Sequence, residues 1–274
     1  MYGITLGGFE IIERINRGSL SEVYRARSNA SGAPAAVRVL LPELRGNPTA
    51  VRQFLRGARL EARCDHPNVI RVFDIGEARG TPYVVTELIA GDNLKRFILE
   101  KRDVLRTRPV PILRAVGEAL AHLHHAQHII HRDVKPENVL VSDDAEEVRL
   151  ADFSLAVEKH REFLYSRRIS GSPSYIAPER LLLRRYDERV DIYSLGILAY
   201  EVLALRLPYT GNTEQEIMRA HTDFRIRPDP IRRYNPNVSQ GLEHAVFQSL
   251  EKDIEKRYPD VRLFVRDIKM TMHA

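Results

Sequence analysis

The chain has one cysteine, Cys64, and no tryptophan. A single thiol excludes an internal disulfide framework and any zinc cluster built on cysteine. The expected role of Cys64 is that of a small buried apolar side chain. No apolar run is long enough to span a bilayer. The N-terminus also lacks the basic-then-apolar pattern of a secretion signal. A cytoplasmic chain with no membrane partner is therefore expected. Acidic residues are in the minority, 37 Asp and Glu against 42 Lys and Arg, for a net charge of +5. A nucleic-acid surface is one reading of that excess. The arginines, however, fall in separate stretches around Arg161 to Arg168, Arg184-Arg185 and Arg225 to Arg233. They have neither a recognition-helix pattern nor interleaved stacking aromatics. The expectation is no nucleic-acid partner, and a solvated surface that attracts acidic substrates.

What the sequence does hold is concentrated in a few short stretches. His131-Arg132-Asp133-Val134-Lys135-Pro136-Glu137-Asn138 follows the apolar pair Ile129-Ile130. These eight residues supply a carboxylate, an ammonium and an amide. Moving a phosphoryl group to a hydroxyl calls for that set: a carboxylate to orient the alcohol, a cation near the moving group and an oxygen ligand for magnesium. Asp152-Phe153-Ser154 ends a short strand pattern, Val148 to Ala151. Gly171-Ser172-Pro173-Ser174-Tyr175 and Ala177-Pro178-Glu179 follow. Each stretch alone is weak, but together at these distances they are specific.

From about Phe9 to Ile268 the chain resembles the bacterial branch of the eukaryotic-like serine/threonine protein kinases. The resemblance implies an α+β, bilobal fold over one domain, residues 1–274. A small N-lobe (about 9–88) would hold a five-stranded antiparallel sheet and one helix, and a larger, mainly helical C-lobe would cover about 89–272. It implies ATP with Mg²⁺ or Mn²⁺, a protein substrate carrying serine or threonine, and a regulatory partner protein as a further candidate. Asp133 would be the catalytic base, with Lys135 and Asn138 beside it. Asn138 and Asp152 would hold the metal, and Ser172 would seat the substrate by bonding toward Asp133 and Lys135. Glu179 would pair with Arg257, and Asp191 would bond the backbone of the catalytic loop. Ser166 and Ser170 are candidate phosphorylation sites, where phosphate could pair with arginines. Ile15, Gly18, Val23, Ala36, Arg38, Glu87, Ile89 and Leu140 would surround the nucleotide.

The small lobe departs from the family pattern. Phe9 to Asn16 and Ser21 to Arg27 alternate as a hairpin should. Aligned on Val23, the three glycine positions of its phosphate-covering loop hold Asn16, Gly18 and Ser21. The usual strand lysine is Arg38, whose flat, forked guanidinium is not equivalent to an ammonium. The helix read over Thr49 to Cys64 carries Gly57 where the family has its ion-pairing glutamate. Glu61 lies one turn later on the same face. Two readings stand: Arg38 pairs with Glu61, or Glu61 faces solvent. Val69 to Ile75 and Pro82 to Glu87 read as further strands, and Asp92 reads as the N-cap of a short helix. His122, His124, His125 and His128 read as surface or helix-end histidines. Ser154 stands where the family has glycine. Two functional readings follow: a serine/threonine kinase with lowered or conditional activity, or a pseudokinase that binds nucleotide or scaffolds without much turnover. On the family pattern, Arg38→Lys with Gly57→Glu is expected to raise turnover if the small lobe is the limiting defect.

Overall fold

The computed structural model describes residues 3–159, 164–165 and 171–271. The small lobe begins with β1 (Thr5–Leu6), β2 (Phe9–Arg17), β3 (Ser21–Ser28) and β4 (Pro34–Leu40). Helix α1 (Pro48–Ala62) follows, then β5 (Val72–Ala78) and β6 (Thr81–Thr86). These strands form one sheet in the order β1-β2-β3-β4-β6-β5 with every pair antiparallel. The sheet therefore has six strands rather than five. Gly7 and Gly8, both at positive φ, make the two-residue turn that brings β1 back onto β2. Leu6 then closes one end of the outer core.

Register fixes which side chains meet. Val23 lies opposite Arg38, and Ala36 and Arg38 lie opposite Thr86 and Val84. Because side chains alternate, Val23, Ala36, Arg38, Val84 and Thr86 share one face. Helix α1 packs on that face through Phe54 and Ala58 against Leu40 and Val84. The opposite face buries Ile11, Tyr24, Val37 and Val85. Asn47 starts α1 by accepting from the amides of Thr49 and Ala50, with Pro48 in the first turn. The strand expected from Val69 starts only at Val72. Val69 instead makes a parallel bridge to Leu150, and Asn68 donates to the Val148 carbonyl at 3.1 Å. The chain leaving α1 is thus tied to the large lobe.

The large lobe holds β7 (Gly91–Asn93), α2 (Leu94–Leu99), α3 (Val104–Thr107), α4 (Pro109–His122), β8 (Ile129–Ile130), β9 (Val139–Ser142) and β10 (Val148–Leu150). Then come α5 (Pro178–Leu181), α6 (Arg189–Ala204), α7 (Glu214–Thr222), α8 (Gln240–Ser249) and α9 (Val261–Met270). Side chains of Thr213, Ser239 and Asp260 cap α7, α8 and α9. The α2 cap is Asn93, which accepts from the Arg96 amide at 3.1 Å. Asp92, expected in that role, pairs with the Arg96 guanidinium instead. Helix α6 is mainly apolar and buried on every side from Val190 to Leu203, as in a helix at the centre of a core. The strands β7, β9 and β10 form a small sheet. Residues 131–138 lie between β8 and β9, and Asp152 follows β10. One short sheet thereby sets both functional stretches side by side.

Candidate active site

The catalytic stretch is held from below by α6. Asp191, fully buried, accepts from the His131 amide at 2.8 Å and the Arg132 amide at 2.7 Å. His124 Nε2 lies 2.9 Å from the same carboxylate. His124 is therefore no surface histidine: the π-helical turn Leu123–Gln127 carries it inward to 2% exposure. Burial raises the Asp191 carboxyl, but the His124 hydrogen bond and charge, with the amides, bring it below its ordinary value. The other histidines of that group stay nearer the surface. His122 stacks on His66, and His125 contacts Asp260. His131 Nδ1 accepts from the Asp133 amide at 3.3 Å, so its Nε2 donates to the Ala151 carbonyl at 3.2 Å. Burial lowers its pKa, which suits a neutral ring with that tautomer.

Asp133 is nearly buried, with its two oxygens in different surroundings. Oδ2 receives Lys135 Nζ at 2.8 Å and Asn138 Nδ2 at 3.0 Å. Oδ1 points toward Gly171, whose absent side chain would start 3.6 Å away. Lys135 also donates to Ser172 Oγ at 3.0 Å, linking the carboxylate to the segment expected to seat a substrate. That segment is anchored in turn. Tyr175 donates to Glu201 Oε2 at 2.5 Å, and Glu201 Oε1 lies 2.6 Å from Lys95 Nζ. Ser194 donates to the Tyr175 carbonyl at 2.7 Å. Burial and the neighbouring Glu201 charge keep the Tyr175 phenol protonated. Nothing in the sequence pointed to Lys95 or Glu201, which lie on helices with other polar residues, Arg96 on α2 and Asp191 on α6.

On the opposite wall, Arg38 Nη2 hydrogen-bonds Glu61 Oε2, and Arg38 Nη1 lies 3.8 Å from Asp152 Oδ1. Glu61 is fully buried, so of the two readings the structure shows the pair. Burial pushes the Glu61 carboxyl up, and the Arg38 charge works against that rise. Glu61 Oε1 also accepts from the Asp152 amide at 3.0 Å. Phe153 is buried edge-on against His131, with ring centroids 4.9 Å apart. The Asp152 side chain is 44% exposed, and its Oδ1 accepts from the Ser154 amide at 3.2 Å. The expectation that Gly57→Glu with Arg38→Lys restores a working pair does not survive this geometry. A β-carbon at residue 57 would lie 2.6 Å from the Phe153 carbonyl oxygen.

The donor set fits a hard cation. Asp152 offers a carboxylate, and Asn138, with its amide nitrogen committed to Asp133, offers its oxygen. Among the described residues no group of three His, Cys, Asp or Glu side chains could hold a metal alone. A hard cation held by one carboxylate and one amide oxygen would complete its shell with waters and phosphate oxygens.

The residues expected around a nucleotide are distributed as follows. Val23, Ala36 and Arg38 share the sheet face described above, and Leu140 is half-buried on β9. Ile15 stands in a β-bulge between Arg14 and Asn16. The Gly18 amide bonds the Ser21 carbonyl at 2.9 Å, closing the loop. Outside it, Glu22 accepts from Tyr24 at 2.6 Å, Arg17 at 2.8 Å and Arg14 at 2.9 Å. These ionic ties flank a loop in which Gly18 is the one glycine. The Glu87 carbonyl accepts from Thr86 Oγ1, and the Ile89 carbonyl accepts from the Gly91 amide. Arg257, fully buried, bonds Glu179 through both nitrogens at 2.8 and 3.1 Å. Ser166 and Ser170 lie outside the described residues.

A bilobal α+β fold with these groups between its lobes defines a class, and sequence comparison agrees. The family model described as a protein kinase domain matches residues 9–265, and the chain belongs to that family. It is similar to the serine/threonine-protein kinase pkn2 of Myxococcus xanthus, 35% identical over 259 residues, covering 92% of this chain and 31% of that protein. It is similar also to PrkC of Bacillus subtilis, 29% identical over 98% of this chain and 41% of that protein. PknB of Mycobacterium tuberculosis is 31% identical over 91% of this chain and 40% of that protein. The chain thus spans 31% to 41% of the length of these relatives. Among the described residues no helix is long and apolar enough to cross a membrane.

Proposed function

We propose that this chain transfers the γ-phosphoryl group of ATP to serine or threonine hydroxyls of a protein. The observation that carries the reading is the ammonium of Lys135, shared between Asp133 and Ser172. It fixes the carboxylate against the substrate-seating segment and leaves Asp133 Oδ1 to accept the hydroxyl proton. Lys135 also places positive charge where the transferred group would pass. Asp152 and Asn138 would hold Mg²⁺ or Mn²⁺, which neutralises phosphate charge when bound. Ser166 or Ser170 would be phosphorylated in the activation segment, and a regulatory partner would act on the same segment.

A second reading, a nucleotide-binding module with little turnover, is supported by Arg38. Its guanidinium already faces Glu61 and Asp152, so less of its charge is directed to phosphate. This supports slow transfer. Radiolabelled ATP with Mg²⁺ or Mn²⁺ separates the readings. Transfer predicts autophosphorylation that vanishes in Asp133→Asn while metal-dependent nucleotide binding persists. Binding without label under either metal, in the unaltered chain, would establish the module instead.

A further inference from the structure

Glycine in the interior of a helix costs about 1 kcal/mol relative to alanine. At Gly57 the structure shows what that cost accommodates. A β-carbon there would lie 2.6 Å from the Phe153 oxygen, 2.8 Å from its carbonyl carbon and 2.8 Å from Ser154 Cα. All three are backbone atoms, so no rotamer change relieves the overlap. One helical turn later, Glu61 holds the amide of Asp152. Positions i and i+4 share a helix face, so α1 touches this turn at two successive points.

The turn needs such support. Asp152 sits at φ +61°, in the left-handed region that non-glycine residues enter at a cost of about 1–3 kcal/mol. Ser154, unlike a glycine, adds no backbone freedom. What keeps the conformation is packing: Phe153 against His131, the Asp152 amide on Glu61, and the Phe153–Ser154 backbone on the bare surface of Gly57.

We propose that Gly57 and Glu61 act as one positioning unit for Asp152. Gly57 is the notch that admits the Phe153–Ser154 backbone, and Glu61 is the carboxylate that fixes the Asp152 amide. The proposal rests on the phosphotransfer reading, which gives Asp152 its metal. Any side chain at residue 57 separates α1 from the turn and takes Glu61 off Asp152. The carboxylate that pairs with Arg38 thus stands one turn beyond Gly57, where the Phe153–Ser154 backbone lies against the helix.

The test uses the full chain with ADP as probe, titrating Mg²⁺ and reading the thermal shift. Groups that orient a metal ligand typically change metal affinity about 10–100-fold. In Gly57→Ala and in Glu61→Leu, which leaves the Asp152 amide without its acceptor, the Mg²⁺ needed for half the metal-induced shift should rise at least tenfold. In Gly57→Ala, ADP affinity in EDTA should stay within twofold, and the metal-free melting temperatures of both single variants report that the fold is kept. Arg38→Lys combined with Gly57→Glu should bind Mg²⁺·ADP less well than the unaltered chain. Unchanged Mg²⁺ dependence in either single variant, a parallel fall with and without metal, or a gain in the double variant would overturn the proposal. Metal-independent ADP binding by the unaltered chain would remove the phosphotransfer reading itself, and the proposal with it.

Discussion

Asp191→Asn changes one atom at the base of the site and should be costly. The carboxylate serves the Arg132 amide with Oδ1, and the His131 amide and His124 with Oδ2. An asparagine has one acceptor oxygen, so whichever way it turns, its NH₂ faces a buried amide. A buried donor left without an acceptor costs about 1–3 kcal/mol, and the bonds that remain lose about 1 kcal/mol each with the charge. The sum is about 3–5 kcal/mol. Near the melting point of a chain this size, about 2–4 °C per kcal/mol gives a drop on the order of 10 °C. The loss falls on the backbone that presents Asp133, and Arg132 there holds φ +69°. Label incorporation should therefore drop more steeply than nucleotide binding. Thermal melts with parallel ADP titration and autophosphorylation check both parts. An Asp191→Asn protein that melts within about 2 °C of the unaltered chain would refute the assignment of Asp191 as the support of this loop.

Breaking the Glu179–Arg257 pair by Glu179→Gln should destabilise by about 3–5 kcal/mol, because it leaves a buried guanidinium uncompensated. Adding Arg257→Met should cost well under the sum of the single changes, and strict additivity in urea melts would count against direct coupling. His221, buried against Tyr193 and Tyr209, has its pKa lowered from 6.5 to about 3, chiefly by burial. The unfolded chain takes up that proton below pH 6.5 and the folded one does not, so stability falls as pH drops through that window. Between pH 7.5 and 5 the loss from this residue is about 2 kcal/mol. His221→Gln, which keeps an acceptor for Tyr193, should flatten the melting temperature between those pH values. An unchanged slope would show that other groups carry it.

The catalytic stretch was legible because its chemistry is contiguous. Asp133, Lys135 and Asn138 fall within six residues, so their grouping needed no knowledge of the fold. Phe9 to Asn16 and Ser21 to Arg27 were read as strands for a related reason, since alternation is local, and the strands run one residue further, to Arg17 and Ser28. The short β1 was too brief to alternate. Its place depends on the turn at Gly7 and Gly8 and on a core that forms only when the sheet closes. His124 looked like its surface neighbours because its partner Asp191 is 67 residues away and a π-turn aims it inward. Gly57 was the opposite case. The sequence displayed a missing carboxylate and gave no sign of the backbone about 96 residues on that fills the space.

The ties at the end of α1 carry a mechanical consequence. Arg63 reaches Glu158 at 2.5 Å and the Gln127 carbonyl at 3.3 Å, and Asn68 is bound to Val148 just beyond. The helix is moored at its C-terminal end, so a swing of α1 about that end would move its N-terminus most, as an oar moves in its rowlock. At 1.5 Å per residue its 15 residues make a lever about 22 Å long, with Gly57 about 8 Å from the fulcrum. A swing of about 10° that carries Pro48 through almost 4 Å moves Gly57 little more than 1 Å. A small misfit at the notch is thus displayed, nearly threefold enlarged, at the outer tip of the small lobe. A gentle pull at that tip is geared down to a fine adjustment at the notch.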